Sequence, residues 1–399
     1  MNDMVNEVKL KVGAVCIGNG GGQSGLNLYN HGIDIILINT SARDLANEVI
    51  PEGIKSYIIE DSDDHGRGAG RNREIAKKLY DDWSQSKTLL NDDCLNNFVR
   101  SKDVIFVIGS TGGGTGSGIV PKFAFQLTKK FPNKVIIVIG IMPRLNESIN
   151  SQINNVKFWD EIDSLNKMGV NIPYMSFDLE KTAHLKIDES YHQIAEDINS
   201  AIQVISGAMS SMTPYGMIDE RNMLTMITTG GLMSVYSNDK VKMTDIAEKG
   251  IQQIIKDQMK LSSNVQIQRD KICKYYGLFI EVDEGIDDPT KQADYNTLFE
   301  ICGEPFEIFV NYGITDKPVG KYGLIISGQS MPYDRIKSSV ERAKEYERNL
   351  KEKEYSMSED AMSIKLIGGK TDIGKILGSS SETPAEVNDD IPDFLKSDL

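Results

Sequence analysis

A doubly wound α/β sheet, followed by a long helix and a second, smaller α+β domain, is the fold class this 399-residue sequence predicts. Three observations predict it. Short, nearly continuous apolar runs alternate with helical patterns over the first 140 residues. Glycine clusters sit directly after two of those runs. After Tyr236 the rhythm changes to a helix and then three further strand-like runs.

The runs Val12–Ile17, Ile33–Asn39, Ile105–Ile108 and Val135–Ile141 have the character of parallel strands buried on both faces. Helical patterns such as Arg73–Lys87 and Ile119–Phe131 lie between them, which is the βαβ order of a sheet with helices on both sides. Ligands of such sheets sit outside the carboxyl ends of the strands. A long helical stretch begins near Ser190 and is placed at 190–212. The second domain, 213–330, contains a helix near Met243–Leu261 and strands at Tyr276–Val282, Phe306–Val310 and Gly323–Ser327. Residues 331–356, rich in Arg, Lys and Glu, read as a surface helix, and 357–399 as a disordered acidic tail.

Composition narrows the function. The charged fraction of 26% and hydrophobic fraction of 40% are those of a soluble globular chain, and no run nears the roughly 20 apolar residues of a membrane span. Cys16, Cys94, Cys273 and Cys302 have neither metal spacing nor a disulfide framework, so a reduced, cytoplasmic location is expected. A net charge of −14 argues against direct binding to nucleic acid, which needs a basic face. His31, His65 and His184 have no ligand spacing. Met209, Met212, Met217, Met223, Met226 and Met233 read as core filling around the long helix.

The chemistry lies in two glycine clusters, Gly18–Gly25 and Gly109–Gly118, each between a strand and a helix. Glycine lets backbone N–H groups approach an anion closely, and the helix start behind each cluster adds its dipole. Thr115 and Ser117 add hydroxyl donors, giving a phosphate cradle without lysine. A Walker A loop is excluded because neither cluster carries Gly-Lys-Ser/Thr. A dinucleotide fingerprint can be read at Gly20, Gly22 and Gly25, but that fold wants an acidic residue ending the second strand, where this chain has Asn39-Thr40.

The string Gly112-Gly113-Gly114-Thr115-Gly116-Ser117-Gly118 after an apolar strand resembles the signature loop of the tubulin/FtsZ superfamily. The resemblance covers residues 8–235 and implies GTP/GDP as nucleotide, with Mg²⁺ held mainly by phosphates and water. It implies a first phosphate loop at Gly20, Gly21, Gly22 and Gln23, a strand end at Asn39, and a third loop at Gly68, Ala69, Gly70 and Asn72 reaching the γ-phosphate. It also implies the signature loop at Thr111, Gly112, Gly113, Gly114, Thr115, Gly116 and Ser117. Glu147 takes the ribose contact and Arg144 a charge contact to phosphate. On the central helix, Tyr191 (or His192) would stack on guanine, and Glu196 would accept its N1–H and N2–H, rejecting adenine. Met217–Met223 resembles the family's synergy loop, which enters the neighbouring subunit's pocket and positions the attacking water. Asp219 falls on its first acidic position and Asn222 on its second, with Glu220 able to compensate.

Within the family, Ser211–Tyr215 and the shortened acidic loop resemble the TubZ branch of plasmids and prophages. The expected activity is therefore GTP hydrolysis completed between adjacent subunits of a head-to-tail filament. The expected role is segregation of plasmid or prophage DNA through a DNA-binding adaptor held by the tail, with no direct contact to nucleic acid or membrane. The tail sequence Asp390-Ile391-Pro392-Asp393-Phe394-Leu395-Lys396 is similar to the partner-docking peptide that ends FtsZ, so a divergent division GTPase is the alternative. A non-hydrolysing scaffold and a nicotinamide enzyme are weaker readings, opposed respectively by Asp219 and by the second glycine loop.

Overall fold

A computed structural model describes residues 9–47, 50–60, 66–87, 89–207, 218–265, 272–283, 299–300 and 303–360. The segment Ser211–Tyr215, the methionines at 209, 212 and 217, His65 and the tail peptide Asp390–Lys396 lie outside them. The strands are β1 (Val12–Ile17), β2 (Asp34–Asn39), β3 (Lys55–Ile58), β4 (Val104–Ser110), β5 (Val135–Met142), β6 (Pro173–Asp178), β7 (Gly231–Lys242), β8 (Tyr275–Asp283), β9 (Glu307–Thr315) and β10 (Val319–Gln329). They form one sheet in the order β3-β2-β1-β4-β5-β6-β7-β10-β8-β9. From β3 to β7 every pairing is parallel, while β10 runs antiparallel to both β7 and β8. The smaller α+β region thus continues the first sheet, and the joint is slight: β6 and β7 pair only at Pro173–Gly231 and Tyr174–Leu232.

Helices cover both faces of the parallel part. α1 (Gly18–Asn30) and the central helix α7 (Ile187–Ile205) pack on one side, with α8 (Glu220–Ile227) beyond them. α3 (Arg73–Lys87), α4 (Asp93–Arg100), α5 (Thr115–Lys130) and α6 (Ile149–Lys167) pack on the other, and the short α2 (Ala42–Asn47) follows β2. Alternation along β1 makes this possible: Val15 and Ile17 join the core under α3–α6, while Ala14 and Cys16 join the core under α1 and α7. A third core forms where α9 (Met243–Lys249) and α10 (Ile251–Leu261) cover β7, β8 and β10. The last helix, α11 (Tyr333–Asp360), packs back along α6.

Several elements depart from the sequence expectation. The first glycine cluster is no loop: α1 begins at Gly18 itself, and only Gly18, at φ 75°, turns the chain out of β1. The central helix runs Ile187–Ile205 rather than from Ser190 past 205, because Asp188 and Glu189 favour its first turn and the Glu189 carboxylate accepts from the Lys186 N–H. The helix expected over 243–261 is broken in two at Gly250, φ 75°. Strands β3, β6 and β7 had no counterpart in the reading of the sequence. Met223, Met226 and Met233 are fully buried beside α7, as core filling requires. Among the described residues, no helix is long and apolar enough to cross a membrane.

Candidate functional site

The strand order reverses between β1 and β4, and a crevice opens at the carboxyl end of that switch point. Ile17 pairs with Gly109, so the segments that follow the two strands leave the sheet side by side. Between them lies a cavity of about 390 Å³, lined by Gly18, Asn19 and Gly20 of α1, Gly68–Arg71, Ser110, Gly112–Gly116, Glu147 and Tyr191 among others.

The glycines there divide into two kinds. A Cβ on Gly21 would stand 2.6 Å from the Ile108 carbonyl oxygen, and one on Gly116 2.7 Å from the Ser110 carbonyl oxygen, so these two let helices α1 and α5 press onto the strand ends. Gly22 and Gly113 have open space instead, with no neighbour closer than 3.9 Å, and are free to meet a ligand. Gln23 and Gly21 do not line the cavity, and Gly22 and Asn39 line a small recess beside it. The Asn39 side chain accepts from the Thr40 N–H at 2.8 Å and from the Ser41 N–H at 3.3 Å, fixing the turn after β2.

Two of the three hydroxyls of the signature loop are committed internally. Thr111 is fully buried and donates to Asn155 Oδ1 at 2.6 Å, within reach also of the Ile141 carbonyl. Ser117 donates back to the Gly113 carbonyl. Only Thr115 remains at the cavity, hydrogen-bonded to Thr40 at 2.7 Å.

The third loop hangs on the end of β2 through the Ala42 N–H to the Gly66 carbonyl, 2.9 Å, and a bridge between Ser41 and Arg67. Gly68, Ala69 and Gly70 reach the cavity, while Asn72 caps α3 by accepting from the Glu74 and Ile75 N–H groups. Two arginines of this loop, Arg67 and Arg71, also line the cavity. They lie within the string that resembles the third loop and bring positive charge to a cradle without lysine.

Glu147 lines the cavity and accepts from the Arg144 N–H at 2.9 Å. The Arg144 guanidinium points elsewhere, donating to the carbonyls of Leu185 (2.9 Å) and Thr182 (3.3 Å) and to Ser190, so it ties the ribose-side loop to the start of α7. Tyr191 presents its ring to the cavity, and burial, aided by the Glu147 charge, pushes its phenol up to about 12. Glu196 lies outside the cavity and accepts from Asn27 (3.3 Å) and His31 (3.1 Å) of α1. Burial would raise its carboxyl, but these hydrogen bonds outweigh it and hold it below the usual range.

Asp219, Glu220 and Asn222 are at the other edge of the sheet. Helix α7 carries the chain from Tyr191 to Ser206, whose carbonyl accepts from the Leu10 N–H just ahead of β1. The segment returns to the same edge at Gly231, where β7 begins beside the start of β6. Asp219 caps α8, accepting from the Asn222 N–H at 2.7 Å, and none of the three lines the cavity.

Helix α6 supplies further polar residues, none of them marked by a motif. Ser151, Gln152, Asn154 and Asn155 are all buried. Gln152 donates to the Arg144 carbonyl at 2.7 Å and accepts from Ser339 of α11 at 2.8 Å, and Asn155 donates to the same Ser339 oxygen at 3.1 Å. Arg335 of α11 forms a bidentate pair with Asp178 (2.6 and 3.0 Å) and donates to the Pro143 carbonyl. No group of three or more His, Cys, Asp or Glu able to hold a metal occurs among the described residues.

Residues 11–166 match the model of the Tubulin/FtsZ family, GTPase domain. Over 300 residues (73% of this chain, 74% of the relative) the sequence is 22% identical to the tubulin-like protein TubZ of Clostridium botulinum C phage. It is 23% identical over 236 residues, 58% of this chain and 60% of the relative, to the cell division protein FtsZ of Aquifex aeolicus. The crystal structure of the C. botulinum phage c-st TubZ superposes with a TM-score of 0.65 at 20% identity, covering 86% of this chain and 99% of that one. A helical model of a two-stranded TubZ-Bt filament gives 0.72 at 15% identity, covering 92% and 96%. At these identities the structural likeness establishes the fold.

Proposed function

With residues 11–166 a GTPase domain of the Tubulin/FtsZ family, we propose that this chain is an assembly-coupled GTPase whose filaments act in plasmid or prophage DNA segregation. The observation that carries the reading is the separation of cavity and acid: the nucleotide cradle opens at the carboxyl edge of the parallel strands, while Asp219 stands on the segment that begins and ends at the opposite edge. One copy cannot bring the two together, but a second copy stacked head to tail does. Repetition of one such heterologous contact gives an open filament.

In this mechanism the glycine-rich starts of α1 and α5 hold the phosphates of GTP with backbone N–H groups. The third loop meets the γ-phosphate, Tyr191 the base and Glu147 the ribose. Asp219 of the next copy polarises the attacking water, aided by Glu220 and Asn222. The oxygen donors at the cavity, Thr115, Asp44 and Glu147, suit a hard cation, and Mg²⁺ bound mainly through phosphates and water would neutralise the developing charge. The relatives' names support self-association, since one solved structure is a filament of TubZ-Bt and another a GTPγS-form protofilament of Bacillus thuringiensis TubZ. The segregation role follows the TubZ likeness, with an adaptor on the tail supplying the basic surface that a net charge of −14 denies this chain. A division role is the second reading, favoured by the FtsZ-like sequence Asp390–Lys396 and by an FtsZ relative of comparable identity over a shorter stretch.

Phosphate release from GTP and from ATP, followed over a protein concentration series with light scattering in parallel, tests the proposal. A GTP-selective rate per molecule that rises together with scattering above a critical concentration is expected. A rate independent of concentration would overturn the shared site.

A further inference from the structure

Two of the loops that line the cavity, 66–72 and 111–116, come from different parts of the chain and share no strand pairing. One side chain hydrogen-bonds to both. Asn154 of α6 is 5% exposed, and its amide nitrogen lies 2.9 Å from the Arg71 carbonyl and 3.2 Å from the carbonyls of both Gly112 and Gly113. An amide NH₂ has two hydrogens, and here both are directed at backbone oxygens of the two loops. The loops also interlock: a Cβ on Gly114 would meet the Asn72 nitrogen at 3.0 Å and the Arg71 carbonyl carbon at 3.1 Å.

Two consequences converge on the cavity. A trans peptide sets its N–H opposite its C=O, so drawing the Gly112 and Gly113 carbonyls toward α6 turns the N–H groups of Gly113 and Gly114 away from it. Neither N–H has a hydrogen-bond partner among the described residues. Arg71 is held at φ 62°, a left-handed conformation uncommon for a residue with a side chain. In that conformation it lines the cavity, with its charge near enough to Tyr191 to favour the ionised phenol.

We propose that Asn154 is a positioning residue of the phosphate site: it clamps the third loop to the signature loop, so that the Arg71 guanidinium and the Gly113 and Gly114 N–H groups meet the terminal phosphate of a nucleoside triphosphate. This rests on the nucleotide reading of the cavity and adds what distinguishes triphosphate from diphosphate. Backbone loops alone bind either. A guanidinium that lines the cavity from the third loop supplies a countercharge for the γ-phosphate.

The test is a double-mutant cycle on the full chain below its assembly concentration, with affinities for GDP and for a slowly hydrolysed GTP analogue measured by calorimetry. Arg71→Ala is expected to lower the triphosphate-to-diphosphate affinity ratio about tenfold, the size of one charge-assisted hydrogen bond. Asn154→Ala is expected to lower it by at least as much, and the double variant no further than Asn154→Ala alone, because the asparagine acts through the arginine. An unchanged ratio in Arg71→Ala, or single effects that multiply in the double variant, would overturn the inference. Should Asn154→Ala fail to fold, Asn154→Asp, which keeps the side chain's size and removes its N–H donors, takes its place in the cycle with the same expectation. A wild-type chain that binds neither nucleotide overturns the nucleotide reading as well, whereas normal wild-type binding with an unmoved ratio in the Asn154 variant overturns this inference and leaves the nucleotide reading standing.

Discussion

The two edges of the parallel sheet are built on opposite plans. At the carboxyl edge the ligand meets mostly backbone, and the side chains behind it hold that backbone still: Asn39 fixes one turn, Thr111 and Asn155 another, and Asn154 a third. At the amino edge the group proposed to act is a single carboxylate, Asp219, whose visible support is the start of an eight-residue helix. A cradle made of peptide groups needs many residues to shape it, and a general base needs only one residue carried to the right place. Damage at the first edge should therefore appear in binding and stability, and damage at the second in turnover.

The sharpest way to break that contrast is Asp219→Asn, which keeps the helix cap and removes the charge. GTP turnover in the assembled protein should fall by about 10²-fold or more, the range of lost general-base catalysis, while the monomer's GTP affinity stays unchanged. A turnover assay beside a binding assay decides it, and normal turnover would remove Asp219 from the chemistry. Next in size is Arg335→Ala at the cavity edge. It leaves Asp178, 5% exposed, without its bidentate partner and frees the Pro143 loop, at a cost of about 3 kcal/mol in urea unfolding together with weakened nucleotide binding. Gly21→Ala and Gly22→Ala sharpen the comparison within a single turn. The first drives a Cβ into the Ile108 carbonyl and should cost about 1–3 kcal/mol, and the second meets open space and should leave the melting temperature nearly unmoved.

The smallest effect concerns pH. The Glu196 carboxyl is lowered in the folded state by His31 and Asn27. Its contribution is therefore present above the ordinary glutamate value of about 4.3 and is lost as pH falls through the lowered folded value. At 37% exposure it amounts to a few tenths of a kcal/mol, as for exposed pairs generally. Glu196→Gln should flatten that part of the stability profile, and an identical acid limb in wild type and variant would discard the pair.

What could be read from the sequence follows the same division. Strands β1, β2, β4 and β5 are buried on both faces and announce themselves as apolar runs, whereas the second half of β7, Gly231–Lys242, reads Ser-Asn-Asp-Lys-Val-Lys and hides its strand character. The glycine-rich turns were legible because few uses exist for such a string. The direction of each hydroxyl was not, because Thr111 turns inward only to meet Asn155, 44 residues away. The run Ser151–Asn155 reads as a solvated helix face. Gln152 and Asn155 are met by Ser339 of α11, nearly 190 residues further along, and Asn154 by the loops at Arg71 and Gly112–Gly113.

That last distance has a consequence for the life of the molecule before it is finished. Synthesis proceeds from the amino end, so a growing chain displays every glycine-bearing turn of the cradle long before Ser339 and Arg335 exist to secure α6 and the Pro143 loop. A half-made copy carries the parts of the site without their last fastening, and only a completed copy holds them in their final geometry.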